Sequence, residues 1–209
     1  MLNRYIVRFL CVASAAIMLT SCGDSKATGT GEFATVFATA NALVSVLDSD
    51  VATWTDATTG AKAAACGANS VATITQDNMV LNVTSSAYSV PNTGSSSPTV
   101  PSALSISNVT LTFTPADSNT PALPARFQTQ FTSASPSVIT VGLNPITLEI
   151  VTDEMKSFLG SALECTGALY TYRVGVSFDV VEQSTNKSGT ISLPANGYLL
   201  IHMADFGDK

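Results

Sequence analysis

The chain has 209 residues, 45% of them hydrophobic and 11% charged, with a formal net charge of −6. That acidic balance argues against nucleic acid as a partner and against electrostatic attachment to an anionic lipid surface. Ser and Thr together supply 52 residues, a composition suited to strands and polar loops rather than to a bundle built on Glu, Lys, Ala and Leu.

The first eight residues carry Arg4 and Arg8 and no acid, and residues 9–19 are almost wholly apolar. This is the layout of a secretory leader. Eleven helical residues rise about 16 Å, too short for a hydrocarbon core of about 30 Å, so a permanent span is not expected. The apolar stretch ends in Leu19-Thr20-Ser21-Cys22. This run resembles the lipobox of bacterial lipoproteins, and the resemblance covers about the first 23 residues. It implies that residues 1–21 are a signal peptide removed in the mature chain. It further implies that Cys22 takes a diacylglyceryl group on sulfur and a fatty acyl chain, such as palmitate, on its new amine. Burial of those chains, at about 0.8 kcal/mol per CH₂, would anchor the protein to the membrane. Gly23 follows the cysteine, and Asp24 stands one place beyond the acid that marks inner-membrane retention in enteric bacteria. The resemblance therefore implies an outer-membrane lipoprotein of the cell envelope and leaves open which face it occupies.

Without Arg4 and Arg8, residues 22–209 carry 7 basic against 15 acidic residues, a formal charge of −8. Residues 22–32 read as a lipidated, flexible tether, because GDSKATGTGE has no apolar periodicity. As a random coil its ends would lie about 17 Å apart. Residues 33–209 are expected to form a single domain, long enough to bury about 70% of its unfolded surface.

Residues 33–50 fit both helical and extended spacing, and the β-rich remainder favours strand. Residues 70–76 and 79–84 read as strands joined by an Asp77-Asn78 hairpin turn. Leu104 and Ile106 share one parity while Val109, Leu111 and Phe113 share the other, so a bulge or strand break is expected near Ser107-Asn108. Phe127 and Phe131, then Ile139, Val141 and Leu143, then Ile146, Leu148 and Ile150 continue the period of two. Asp153 is placed to cap a short helix over about 153–163, with Met155, Phe158, Leu159 and Leu163 as its apolar stripe. The longest alternation runs Tyr170, Tyr172, Val174, Val176, Phe178, Val180, the pattern of an antiparallel strand with one wet face. Residues 190–193 begin the return, and 198–206, apolar on both faces, read as a central strand. Eight or nine short strands with one interposed helix predict an all-β fold: an antiparallel β-sandwich of immunoglobulin-like type, with a β-barrel as the alternative.

Cys11 leaves with the leader and lipid consumes Cys22, so Cys66 and Cys165 remain as the one possible intramolecular disulfide. The exported compartment permits it. Two thiols and one histidine do not make the usual four-ligand metal set, and no cofactor is expected. Asp48, Asp50 and Asp56 are the candidate Ca²⁺ ligands, but they lack the EF-hand order, and solvated turn acids are the favoured reading. His202, the only histidine, has no Gly-x-Ser-x-Gly companion and sits within strand-forming sequence, so no hydrolase triad assembles. Adjacent Asp153 and Glu154 point in different directions on a helix and suit its N-terminal dipole better than paired-carboxylate chemistry. Trp54, Tyr88, Tyr170, Tyr172 and Tyr198 are candidates for a binding face, although alternating tyrosines fit a sheet core or its margin. The expectation is a non-enzymatic, membrane-anchored lipoprotein that serves interaction with another envelope or surface protein, or envelope scaffolding. A small-ligand or carbohydrate-binding module is the alternative.

Overall fold

The computed structural model describes residues 30–64, 66–88, 100–193 and 199–206. The leader, Cys22, most of the tether and Tyr198 lie outside the described residues. The fold is an all-β sandwich of two open sheets, so the barrel alternative falls away. Sheet A has the order β1 (Thr30–Glu32), β2 (Val36–Ala42), β6 (Asp77–Ala87), β11 (Gly142–Val151), β9 (Ala134–Ser135). Sheet B has the order β10 (Val138–Ile139), β7 (Leu104–Pro115), β12 (Leu169–Glu182), β14 (Leu199–Ala204), β3 (Val46–Asp50). In addition β8 (Thr129–Thr132) pairs with β7, and β13 (Ser188–Ser192) pairs with β12. A separate hairpin joins β4 (Thr53–Asp56) to β5 (Ser70–Thr73).

Strand β12 is the spine of sheet B. Its inward row of Tyr172, Val174, Val176, Phe178 and Val180 is buried, and its outward residues Arg173, Gly175 and Asp179 are exposed. A period of two on a pleated backbone gives this division directly. The facing row from sheet A includes Leu81, Val83, Ile146, Leu148 and Ile150, all fully buried. Each such side chain contributes about 1.5–3 kcal/mol on burial, which makes this interior the main source of stability. The expected irregularity in β7 is real. Asp179 pairs with Asn108 and Val180 with Ile106, so Ser107 is the extra residue of a bulge.

The ambiguous segment 33–50 is extended, and it divides into β2 in sheet A and β3 in sheet B. Three local expectations are corrected. Asp77 and Asn78 are not a hairpin turn: both lie in β6, opposite Val151 and Glu149 of β11, while β5 pairs with β4. Phe127 is buried but helical, in α1 (Ala125–Gln128), because Pro124 opens a turn there. Phe131 lies on an outward position of β8 and is 72% exposed. The second helix, α2 (Asp153–Leu163), forms where expected, but its cap is Thr152, whose hydroxyl accepts from Met155 N at 3.1 Å. Its buried stripe is Met155, Lys156, Leu159, Gly160 and Leu163. Phe158 instead packs against Phe127 at a centroid distance of 5.6 Å, half-exposed. One pairing is not antiparallel: β3 runs parallel to β14, with Leu47 opposite Ile201 and His202 opposite Asp48.

Candidate functional site

The two lateral sides of the sandwich are finished differently, and the difference locates the candidate site. On the side of β1 and β13 the Phe33 ring is buried. It lies so close to Gly31 and Gly189 that a Cβ at either would sit 2.8 Å from a ring carbon. Just beyond it, Glu182 continues the inward parity of β12 and is fully buried. Its carboxylate accepts from Thr35 N at 2.8 Å, Thr35 Oγ1 at 2.5 Å, Ala34 N at 3.0 Å and the Thr185 hydroxyl. Burial pushes its pKa up, but these hydrogen bonds from Thr185, Thr35 and Ala34 outweigh it and hold the carboxyl below its ordinary value. On this side the Phe33 ring and the Glu182 carboxylate are both covered.

The other side is open. There the chain leaves β8 in sheet B, forms β9 on sheet A and returns to β10 in sheet B. The crossing leaves a solvent-open groove of about 640 Å³, lined by Asn78, Thr147 and Glu149 from sheet A, Ser107 and Asn108 at the β7 bulge, and Phe131 with residues 132–135 of the crossing segment. The bulge forms part of the groove wall, where the extra residue Ser107 interrupts the regular ladder of β7 and donates through its hydroxyl to Asp179 O at 3.0 Å. Asn108 Nδ2 makes only long contacts, 3.4 Å to Thr110 Oγ1 and 3.5 Å to Asp179 Oδ2. The side chains of Asn78, Thr147 and Glu149 make no hydrogen bond or ion pair among the described residues. A groove of this volume falls within the range of about 300–1,000 Å³ typical of ligand pockets.

The residues singled out from sequence go elsewhere. Cys66 and Cys165 form the expected disulfide, with Cα atoms 6.0 Å apart and a sequence separation of 99. Both take positive φ, 61° and 60°. Asp205 sits beside them, accepting from Cys165 N at 2.8 Å and Trp54 Nε1 at 3.3 Å. Cys66, Cys165 and Asp205 offer ligand atoms within 4.8 Å of one another, but sulfurs joined to each other have no thiolate to give a metal. The three candidate Ca²⁺ ligands do not converge. Asp48 Oδ1 lies 2.9 Å from His202 Nδ1, and Asp50 Oδ1 accepts from Ala52 N and Phe206 N at 3.4 Å each. Asp56 closes a turn by accepting from Thr58 N at 2.9 Å and Thr59 N at 2.7 Å. Those bonds, Thr59 first, hold its pKa low.

His202 faces outward on β14, in an exposed pair with Asp48 of the neighbouring strand. That is a cross-strand contact rather than a base poised on a nucleophile. Of the aromatic candidates, Tyr172 is buried with its hydroxyl donating to Pro121 O at 3.0 Å. Its pKa is pushed up to about 12, by burial first and then by Tyr170. Tyr88 is half-exposed and packs on Phe37 at 5.8 Å. Neither lines the groove. Phe131, Asn108 and Glu149 do, and sequence reasoning did not bring them together. The one signal available was the parity slip at Ser107, which marks where β7 departs from its ladder. Compared with known proteins, the chain matches no family model, no curated protein and no solved structure.

Proposed function

We propose that the chain is a bacterial envelope lipoprotein, held by acyl chains on Cys22, whose non-catalytic β-sandwich serves interaction or scaffolding. The observation that carries this reading is the Cys66–Cys165 bond. Such bonds persist in oxidising, exported compartments, which agrees with a leader ending in Leu19-Thr20-Ser21-Cys22. The lack of catalytic function is supported by the commitment of the only histidine to a cross-strand carboxylate. The outer membrane is the proposed location, from Gly23 and Asp24 after the cysteine. The test is metabolic labelling with an alkyne fatty acid in a bacterial host, followed by membrane fractionation. The native chain should take label and sediment with membranes, and Cys22→Ala should lose both properties. Equal labelling and sedimentation of the two would refute the anchor.

A second reading, a small-ligand module, is favoured by one observation. The groove gathers amide, hydroxyl and carboxylate groups beside a largely exposed phenyl ring, a mainly polar lining with one aromatic surface at its margin.

A further inference from the structure

We propose that the groove between β7, β9 and β11 binds a neutral oligosaccharide, with Phe131 as the stacking platform and Glu149, Asn78 and Asn108 as the hydrogen-bonding groups. This rests on the small-ligand reading above and names its ligand class and residues.

Three features select the ligand. First, the lining contains no Lys, Arg or His among the described residues, and residues 22–209 carry a formal charge of −8. A phosphate, carboxylate or sulfate would enter against the field and meet no cation. Second, the polar lining consists mainly of Asn amides and Ser/Thr hydroxyls. These groups donate and accept alike, as sugar hydroxyls do, whereas Glu149 when ionised accepts only. A carboxylate beside amides grips vicinal hydroxyls by accepting from both. Third, Phe131 is 72% exposed at the groove margin. The negative face of an aromatic ring attracts the slightly positive C–H face of a pyranose, and the ring removes apolar surface from water on contact. A buried polar pocket without such a ring would suit an ion. An apolar pocket without the amides would suit a lipid. The groove has both halves, and being open it admits a chain longer than one sugar.

The experiment uses the full-length protein purified in detergent, titrated calorimetrically with maltohexaose, cellohexaose and hexa-N-acetylchitohexaose, and with hexagalacturonate as the anionic arm. At least one neutral hexamer should bind with Kd at or below about 1 mM, and hexagalacturonate at least tenfold more weakly. Phe131→Ala should weaken binding tenfold or more at an unchanged melting temperature, Phe131→Trp should restore it, and Glu149→Gln should weaken it several-fold. Failure of all three neutral hexamers overturns the inference. Binding that Phe131→Ala leaves intact also overturns it, by placing the sugar elsewhere while the module reading stands. Equal binding of the anionic hexamer overturns the selectivity. The acyl label on Cys22 is read separately, so the anchor stands or falls independently of every arm.

Discussion

The carboxylate of Glu182 accepts a hydrogen bond from the backbone N–H of Thr35 at 2.8 Å, across 147 residues of sequence. It joins the end of β12 in sheet B to the approach to β2 in sheet A. The same carboxylate takes three further donors. A buried anion is costly unless it is fully hydrogen-bonded, and here it is. Replacement by Gln would put an amide N–H₂ against groups that are already donors. Glu182→Gln is expected to lose about 3 kcal/mol, since hydrogen bonds to charged groups are worth about 1.5–3 kcal/mol each and some survive. Urea unfolding at pH 7 measures it, and a loss below experimental error would show that the contact is dispensable.

The same residue contributes to the acid limit of the fold. Its native pKa lies below the ordinary value, so its contribution is present above the unfolded pKa and disappears as pH falls through the native one. Asp56 and Asp117 shift in the same direction. Asp117 does so against a burial effect that raises it, through bonds from Thr120 and Asn119. Thermal melts from pH 7 to pH 3 should show a steep acid loss in the native protein. The loss should be shallower in Glu182→Gln, which has one fewer carboxylate to protonate. Parallel acid branches would contradict this assignment.

On the alkaline side the most strongly shifted group is Tyr172. Its native pKa is raised, to about 12, so the stabilisation is complete below the unfolded value and is lost as pH climbs toward the native one. Tyr172→Phe should remove that alkaline loss. It should also cost about 1 kcal/mol at neutral pH through the bond to Pro121 O. Denaturation curves between pH 9 and about 12 decide the point, and an unchanged alkaline limb would refute it.

Lys156 is buried inside the α2 stripe, and its Nζ lies 3.0 Å from Asp77 Oδ2 in β6. Removing one partner strands the other. Lys156→Ala is expected to cost about 3–5 kcal/mol, and a Lys156→Met, Asp77→Leu pair is expected to recover most of it, because apolar isosteres often replace a buried ion pair at little net loss. A double-mutant cycle by calorimetry tests the coupling, which would be absent if the two single losses simply added.

The Cys66–Cys165 bond holds a part of the molecule that has little core of its own. The β4–β5 hairpin makes its own two-stranded sheet, and isolated hairpins are marginal in water. Trp54, the Asp205 carboxylate and the disulfide fasten it. Cys66→Ser with Cys165→Ser should destabilise the domain by up to about 4.7 kcal/mol. Amide exchange should accelerate first in Thr53–Asp56 and Ser70–Thr73. Uniform acceleration throughout the sandwich would argue against a local role.

Much of this architecture was legible because its physics is local. The alternation from Tyr170 to Val180 determines which face of β12 is wet. The parity change between Ile106 and Val109 required an extra residue, and Ser107 is that residue. What escaped depends on contacts between distant segments. Asp77-Asn78 has good turn chemistry, yet pairing with β11 overrides it. Glu182 extends the inward parity of β12 by one step, a signal that its charge masked. Lys156 resembles a solvated helix position until Asp77 is seen beneath it. The groove was invisible for the same reason: Asn78, Asn108, Phe131 and Glu149 come from four separate strands, and only the β8-to-β10 crossing assembles them.

The parallel pairing of β3 with β14 constrains when the molecule can be completed. Among the described residues, Val46–Asp50 finds its ladder partner only in Leu199–Ala204, with 154 positions separating paired residues such as Asp48 and His202. A chain emerging N-terminus first holds β3 unpaired until β14 arrives, and such non-local closure is slow. During that interval residues 46–50 are a target for wrong pairings.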